Sequence, residues 1–219
     1  MKIFLDTANR DLIKKWSDAG VIDGVTTNPS LLSKEGPNTK EVLTDICKMV
    51  DGDVSIEVVK KDPKDVYDQA IQISKLAKNV VVKIPFAQEY LPVIKKLAQE
   101  GVKLNITLIF SLIQATLVAK MGVKYISPFI GRWDDIDIDG MEIVEKIMIA
   151  KENYNFKSEV IAASVRHVMH WHQSILLGAE VVTVPPQLLE KVMYHPLTSK
   201  GIELFDADWA KLGKEDLLS

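Results

Sequence analysis

The sequence predicts an α/β protein, a (β/α)8 TIM barrel with an additional C-terminal helix. Short apolar, β-branched runs alternate with longer stretches of helical period from one end to the other, the pattern of βαβ units on a parallel sheet. Eight such runs can be counted, and no Ser/Gly/Pro-rich linker, low-complexity tract or block of like charge interrupts them. One domain over residues 1–219 is therefore expected, with 202–219 as its helical tail.

The strands are expected near Lys2–Asp6, Asp23–Thr27, Val54–Val58, Val80–Ile84, Lys103–Thr107, Tyr125–Ser127, Glu159–Ala163 and Val181–Val184. In the fourth, Val80-Val81-Val82-Lys83-Ile84, apolar residues flank the charge on both sides, as in a strand covered on both faces. Between strands, Val66, Ala70, Ile73, Leu76 and Ala77, and then Leu91, Ile94, Leu97 and Ala98, recur at helical spacing. Eight units in 219 residues fit a compact closed barrel better than an open doubly wound sheet. Leu5-Asp6-Thr7-Ala8-Asn9, after the first strand, is no dinucleotide-binding fingerprint. After Val184 come Pro185-Pro186, a short helix and the amphipathic stretch Ile202–Leu212, with Leu204, Phe205, Trp209 and Leu212. That stretch is more than a barrel needs and is expected to pack on another subunit.

Composition narrows the function. Cys47 is the single cysteine, so no disulfide framework exists within the chain, and a reducing, cytoplasmic setting is expected. The start, Met1-Lys2-Ile3-Phe4-Leu5-Asp6, lacks the apolar run of a signal peptide, and no window approaches the ~18 apolar residues of a membrane span. Lys+Arg 27 against Asp+Glu 30, well mixed, leaves no basic face for nucleic acid. A small-molecule enzyme is the expectation that remains.

Polar residues interrupt the apolar strands at one recurring place. Asp6 ends the first, Asn28 follows the second, Glu57 sits in the third and Lys83 in the fourth; Asn105 and Thr107 are in the fifth, Ser127 ends the sixth and Ser164 follows the seventh. In a barrel these C-terminal strand ends form the catalytic mouth. A lysine within Val-Val-Val-Lys-Ile-Pro is driven into low-dielectric surroundings, and a lysine held partly neutral attacks carbonyls and forms Schiff bases. The alternatives for Lys83 are snorkelling at the strand edge and a buried ion pair with Glu57. Schiff-base chemistry also needs a proton shuttle and a base beside the bond that breaks, and Glu57 and Asp6, on different strands, suit two separate proton tasks. Thr107 can hold a water between Glu57 and the carbinolamine. Asn28, Asn105, Ser127 and Ser164 offer hydrogen bonds of the kind sugar hydroxyls require, although each taken singly also reads as a cap or loop residue.

Arg132 and Arg166 stand near the mouth, where guanidinium forks can hold phosphate oxygens; surface pairing, as of Arg132 with Asp134 or Asp135, is the alternative. His167, His170 and His172 fall within six residues and invite a zinc reading. On a helix, however, His167 and His170 share a face that His172 does not, and no cysteine is near. A helix-start role, with hydrogen bonds to neighbours of the anion site, is expected instead.

With these residues in place, the chain closely resembles the small single-domain transaldolases, a group that includes the fructose-6-phosphate aldolases. The blocks are Ile3-Phe4-Leu5-Asp6-Thr7-Ala8, Asp23-Gly24-Val25-Thr26-Thr27-Asn28-Pro29-Ser30, Val82-Lys83-Ile84-Pro85, Asn105-Ile106-Thr107-Leu108, Ser127-Pro128-Phe129-Ile130-Gly131-Arg132 and Ala162-Ala163-Ser164-Val165-Arg166-His167. The resemblance implies Lys83 as Schiff-base nucleophile, Glu57 and Thr107 in proton transfer through a water, and Asp6 at the C4 hydroxyl. It further implies that Asn28, Asn105, Ser127 and Ser164 hold the dihydroxyacetone unit and Arg132 and Arg166 the phosphate, with neither metal nor organic cofactor. A homo-oligomer of five or ten subunits built with the C-terminal helix is implied as well. Aldolase members carry Gln where this chain has Glu57 and Tyr where it has Phe129, which favours transfer of the three-carbon unit over its release. Phe86-Ala87, Trp133 and Pro185-Pro186 depart from the family pattern. An aldolase releasing dihydroxyacetone and a non-catalytic sugar-phosphate-binding barrel stay open as alternatives.

Overall fold

The computed structural model describes residues 1–213, 216 and 217. Eight parallel strands close into one barrel in sequence order: β1 (Lys2–Asp6), β2 (Gly24–Thr26), β3 (Asp53–Glu57), β4 (Val80–Pro85), β5 (Leu104–Ile109), β6 (Tyr125–Pro128), β7 (Glu159–Ala162) and β8 (Val181–Val184). β8 returns to pair with β1, so the sheet has no free edge. The expected strands are all present, with ends moved by no more than two residues.

Register decides what faces inward, because partners side by side in a parallel ladder point to the same side. Phe4, Val81, Tyr125, Ile161 and Val181 form a buried cluster inside the barrel. Gly24 makes room for it: a Cβ there would lie 2.5 Å from the Phe4 ring and 2.6 Å from the Asp53 carbonyl. Below the cluster, at the N-terminal rim, charges pair with one another. Lys2 contacts Glu159 at 2.7 Å, Tyr125 donates its hydroxyl to Asp53 at 2.7 Å, and Lys124 also pairs with Asp53. Above the cluster, the inward positions include Asp6, Thr26, Ser55, Glu57, Lys83, Asn105, Ser127 and Thr183.

The chain forms two compact units, Met1–Pro186, which holds all eight strands, and Gln187–Ser219. In the second unit the helix Pro196–Ala210 begins ahead of the expected stretch Ile202–Leu212, because His195 accepts the Leu197 N–H and Pro196 occupies the first helical position. No residue of this helix is buried, and Leu197 and Phe205 are 71% and 75% exposed. Of the tail expected over 202–219, residues 214, 215, 218 and 219 lie outside those described.

Candidate active site

Ten of the eleven sequence-predicted residues line a single cavity of about 180 Å³ at the C-terminal ends of the strands: Asp6, Asn28, Lys83, Asn105, Thr107, Ser127, Phe129, Arg132, Ser164 and Arg166. The eleventh, Glu57, stands beside Lys83 in the β3–β4 register. Its Oε2 is 3.0 Å from Lys83 Nζ. Lys83 is 5% exposed, and Nζ also donates to the Thr27 carbonyl at 2.6 Å. The snorkelling alternative is thereby removed, whereas the ion pair with Glu57 is present.

Asp6 faces the same cavity. Burial pushes its carboxyl pKa above the usual range, against the pull of the Lys83 charge and the Thr26 hydroxyl. Thr26 Oγ1 lies 2.7 Å from Asp6 Oδ1 and 2.6 Å from Thr183 Oγ1. A hydroxyl has one proton to give; with Thr26 donating to the carboxylate, Thr183 must donate to Thr26. The directional chain Thr183 to Thr26 to Asp6 occupies Oδ1. Neither threonine was expected as a site residue. In Gly-Val-Thr-Thr and Val-Val-Thr-Val a β-branched Thr reads as strand propensity, and the signal that could have found them is the period-two alignment of Thr26 with Asp6 across β1 and β2.

The neutral polar residues divide between scaffold and cavity. Asn105 accepts from Ser127 Oγ at 2.7 Å and donates to Ser55 Oγ at 2.9 Å. Asn28 caps the short helix Pro29–Leu32 with Oδ1, 3.0 Å from the Leu31 nitrogen, which leaves its Nδ2 donors for the cavity. The same residue thus both caps a helix and lines the cavity. Thr107 Oγ1 is buried with no hydrogen-bond partner, although it lines the cavity. Next to it the β5–β6 register shifts and Leu108 takes φ 56°. Ser164, after β7, takes φ 60°. Positive φ costs a non-glycine residue about 1–3 kcal/mol and gathers at functional sites.

Both arginines line this cavity. Arg132 lies over the Phe129 ring, 5.3 Å from its centroid, and has no carboxylate partner among the described residues, so its expected alternative pairing does not form. Arg166 Nη2 pairs with Asp135 at 2.7 Å, with both side chains about half exposed. Trp133 packs edge-on against Phe110.

Asp134, His167 and His170 bring ligand-type atoms within 4.8 Å of one another, whereas His172 does not join them. The helix here begins at Val168, with His167 as its cap rather than part of its face. His170 Nδ1 accepts the Arg166 N–H at 3.2 Å, and His167 Nδ1 faces the His170 N–H at 3.3 Å. In a neutral ring whose Nδ1 accepts, Nε2 carries the proton and has no lone pair for a metal. His170 Nε2 instead lies 2.5 Å from Asp134 Oδ2. The donor set thus fits hydrogen bonding at a helix start and does not fit an ion.

A family model described as Transaldolase/Fructose-6-phosphate aldolase matches residues 3–216. A probable transaldolase from Thermodesulfovibrio yellowstonii is 50% identical over 98% of this chain and all of its own length. One from Nitrosopumilus maritimus is 49% identical over 99% of this chain and 98% of its own. Among solved structures, a mandelate oxidase variant superposes with a TM-score of 0.62 at 15% identity over 84% of this chain, and a flavocytochrome b2 variant with 0.60 at 14% over 85%. The chain spans 64% and 56% of those two, and the likeness is one of fold. No helix among the described residues is long and apolar enough to cross a membrane.

Proposed function

The chain belongs to the transaldolase/fructose-6-phosphate aldolase family, and from that membership we propose that it is a class I transaldolase. It moves a three-carbon dihydroxyacetone unit from a ketose phosphate, sedoheptulose 7-phosphate or fructose 6-phosphate, to an aldose phosphate through a Schiff base on Lys83. The observation that carries this reading is Lys83 itself. It is the one buried lysine among the described residues, with Glu57 3.0 Å from Nζ and Asp6 in the same cavity.

In this reading Glu57 takes a proton from Nζ, whose lone pair adds to the C2 carbonyl carbon; the carbonyl oxygen is protonated and leaves as water, giving the iminium. Thr107, whose hydroxyl lacks a protein partner, holds the water through which Glu57 moves these protons. Asp6 removes the C4 hydroxyl proton. The C4–O electrons form the aldehyde carbonyl, the C3–C4 bond breaks, and its pair is drawn through C2 to the iminium nitrogen as an enamine. Asn28, Asn105, Ser127 and Ser164 hold the three-carbon unit, and Arg132 and Arg166 hold the phosphate. When a second aldehyde arrives, the enamine carbon attacks it, Asp6 returns its proton, and water hydrolyses the new imine. Phe129 cannot protonate the waiting carbanion, which favours transfer over release.

The reaction belongs to the pentose phosphate interconversions of the cytoplasm and requires no cofactor. The exposed apolar residues of the helix Pro196–Ala210 support a homo-oligomer, a pentamer or decamer, which light scattering tests. Incubation with fructose 6-phosphate and borohydride should fix a three-carbon adduct on the Lys83 peptide; absence of the adduct overturns the mechanism. Strict dependence of turnover on erythrose 4-phosphate separates the transferase from an aldolase.

A further inference from the structure

The loop after β6 carries Arg132 and the loop after β7 carries Arg166, so an anion held by both requires the loops to keep a fixed spacing. Two backbone bonds begin the join, Ile130 N to Ala163 O at 3.0 Å and Gly131 N to Ser164 O at 3.1 Å. They end before either guanidinium. The Arg166–Asp135 pair beyond them is half exposed and screened by solvent, which makes it a weak clasp.

Deeper in, one buried side chain joins the loops. His170, 2% exposed, reaches both ways: Nδ1 accepts the Arg166 N–H at 3.2 Å, and Nε2 lies 2.5 Å from Asp134 Oδ2. Asp134 stands two residues after Arg132 in the short helix Gly131–Asp134, and its other oxygen accepts the Gly140 N–H at 2.9 Å. His170 in turn is held by its own N–H to the His167 ring and by its carbonyl, which accepts from Ser174 Oγ at 2.7 Å. The groups facing the His170 ring are thus Asp134, the stacked His167 and, by its charge, Asp139. Burial and the neighbouring His167 hold its pKa below the usual histidine value, so the ring is neutral at physiological pH, which is the form that can accept at Nδ1 while donating at Nε2.

We propose that His170 is a positioning residue for the anion end of the site: through Asp134 on one side and the Arg166 backbone on the other, it sets the spacing of the two guanidinium groups. This rests on the reading that Arg132 and Arg166 hold the substrate phosphate. Guanidinium forks recognise phosphate by geometry, and an offset of about 1 Å can cost a hundredfold in a positioned site. His170 is not among the residues that line the cavity, so its effect passes through the arginines.

The test uses the full-length protein and inorganic phosphate as probe, measured by titration calorimetry, beside steady-state kinetics with fructose 6-phosphate and with unphosphorylated fructose as donors. His170→Ala should raise both the phosphate Kd and the KM for fructose 6-phosphate about tenfold, with a much smaller change in kcat and in kcat/KM for fructose. His170→Gln, whose amide reaches toward Asp134, should recover part of the loss. Asp134→Asn approaches the contact from the other side and should reproduce the loss should the alanine variant not fold. Equal phosphate affinity in folded wild type and His170→Ala overturns the proposal, as does an equal loss with both donors. A wild type that binds no phosphate overturns the arginine assignment on which it rests, and borohydride trapping on Lys83 reads the remaining chemistry separately.

Discussion

The two ends of the barrel are built from the same residue types and differ in what they leave unsatisfied. At the N-terminal rim, Lys2, Lys103 and Lys124 are 45%, 44% and 33% exposed and face Glu159 and Asp53, while Asp53 also accepts from Tyr125. Each of these charges has a partner and access to water. At the C-terminal rim the Lys83 side chain is 6% exposed and pairs with one carboxylate, Asp6 is destabilised as an anion by burial, and Thr107 Oγ1 has no partner. A saturated network stabilises a fold, and an unsaturated one keeps interactions in reserve for a substrate. Charge alone therefore does not mark the site.

That difference predicts opposite responses to substitution. The largest effect on activity is expected from Lys83→Met, which removes the proposed nucleophile and should lower kcat by roughly 10⁴-fold or more, with no borohydride adduct in a mass spectrum of the treated protein. Residual turnover within a hundredfold of wild type would show that the buried lysine is only one half of an ion pair.

Asp6→Asn comes next, with a loss of roughly 10²–10⁴-fold in cleavage of fructose 6-phosphate, while borohydride still traps free dihydroxyacetone on Lys83. Its stability should move the other way. A carboxyl whose pKa is raised by folding contributes stability below its unfolded-state range, and loses it as pH rises through the folded value, because the unfolded chain then holds fewer protons. The Asn variant has nothing to ionise. Its Tm should match wild type in acid and exceed it by about 2 °C at pH 7. A lower Tm at pH 7 would mean that the Lys83 charge outweighs the burial.

How far the sequence foretold this arrangement depends on the kind of signal. The barrel was legible because short apolar, β-branched runs and stretches of helical period alternate without a break, and Lys83 was legible because a charge inside Val-Val-Val-Lys-Ile-Pro contradicts its surroundings. Thr26 and Thr183 were not, since a threonine within a strand contradicts nothing, and their role follows from register across the β1–β2 and β8–β1 seams. The floor network was equally hidden: Asp53 and Lys124 are 71 residues apart and meet only when the barrel closes. His170 was half visible, as part of a histidine cluster whose ring protons only the backbone partners can assign.

Thr107→Val tests the reserve at the mouth more gently. The change keeps shape and deletes a buried hydroxyl with no partner in the protein, so stability should hold or rise slightly. Turnover should fall by about 10- to 100-fold, with the smaller part of the loss in KM. A clear drop in Tm, seen by calorimetry, would place Thr107 among the structural threonines.

The smallest effect on activity should come from the floor. Asp53→Asn removes the negative charge that faces Lys124, Lys103 and the Tyr125 hydroxyl, so the two ammonium groups lose the carboxylate they share. Burial and the Asp53 charge hold the Tyr125 phenol above its usual pKa, which keeps its proton on the oxygen and available to a neutral Asn oxygen as well. One hydrogen bond of the network can thus survive, but the ion pairs cannot. The expected cost is about 1–3 kcal/mol, read as a Tm lowered by roughly 4–10 °C, while kcat and KM at 25 °C stay within twofold of wild type. Between this residue and Asp6 lies the buried layer of Phe4, Val81, Tyr125, Ile161 and Val181, which has no polar atom except the Tyr125 hydroxyl, and that group points to the floor. A change in the pH–rate profile of Asp53→Asn would require coupling through that layer and would break the separation between the two ends.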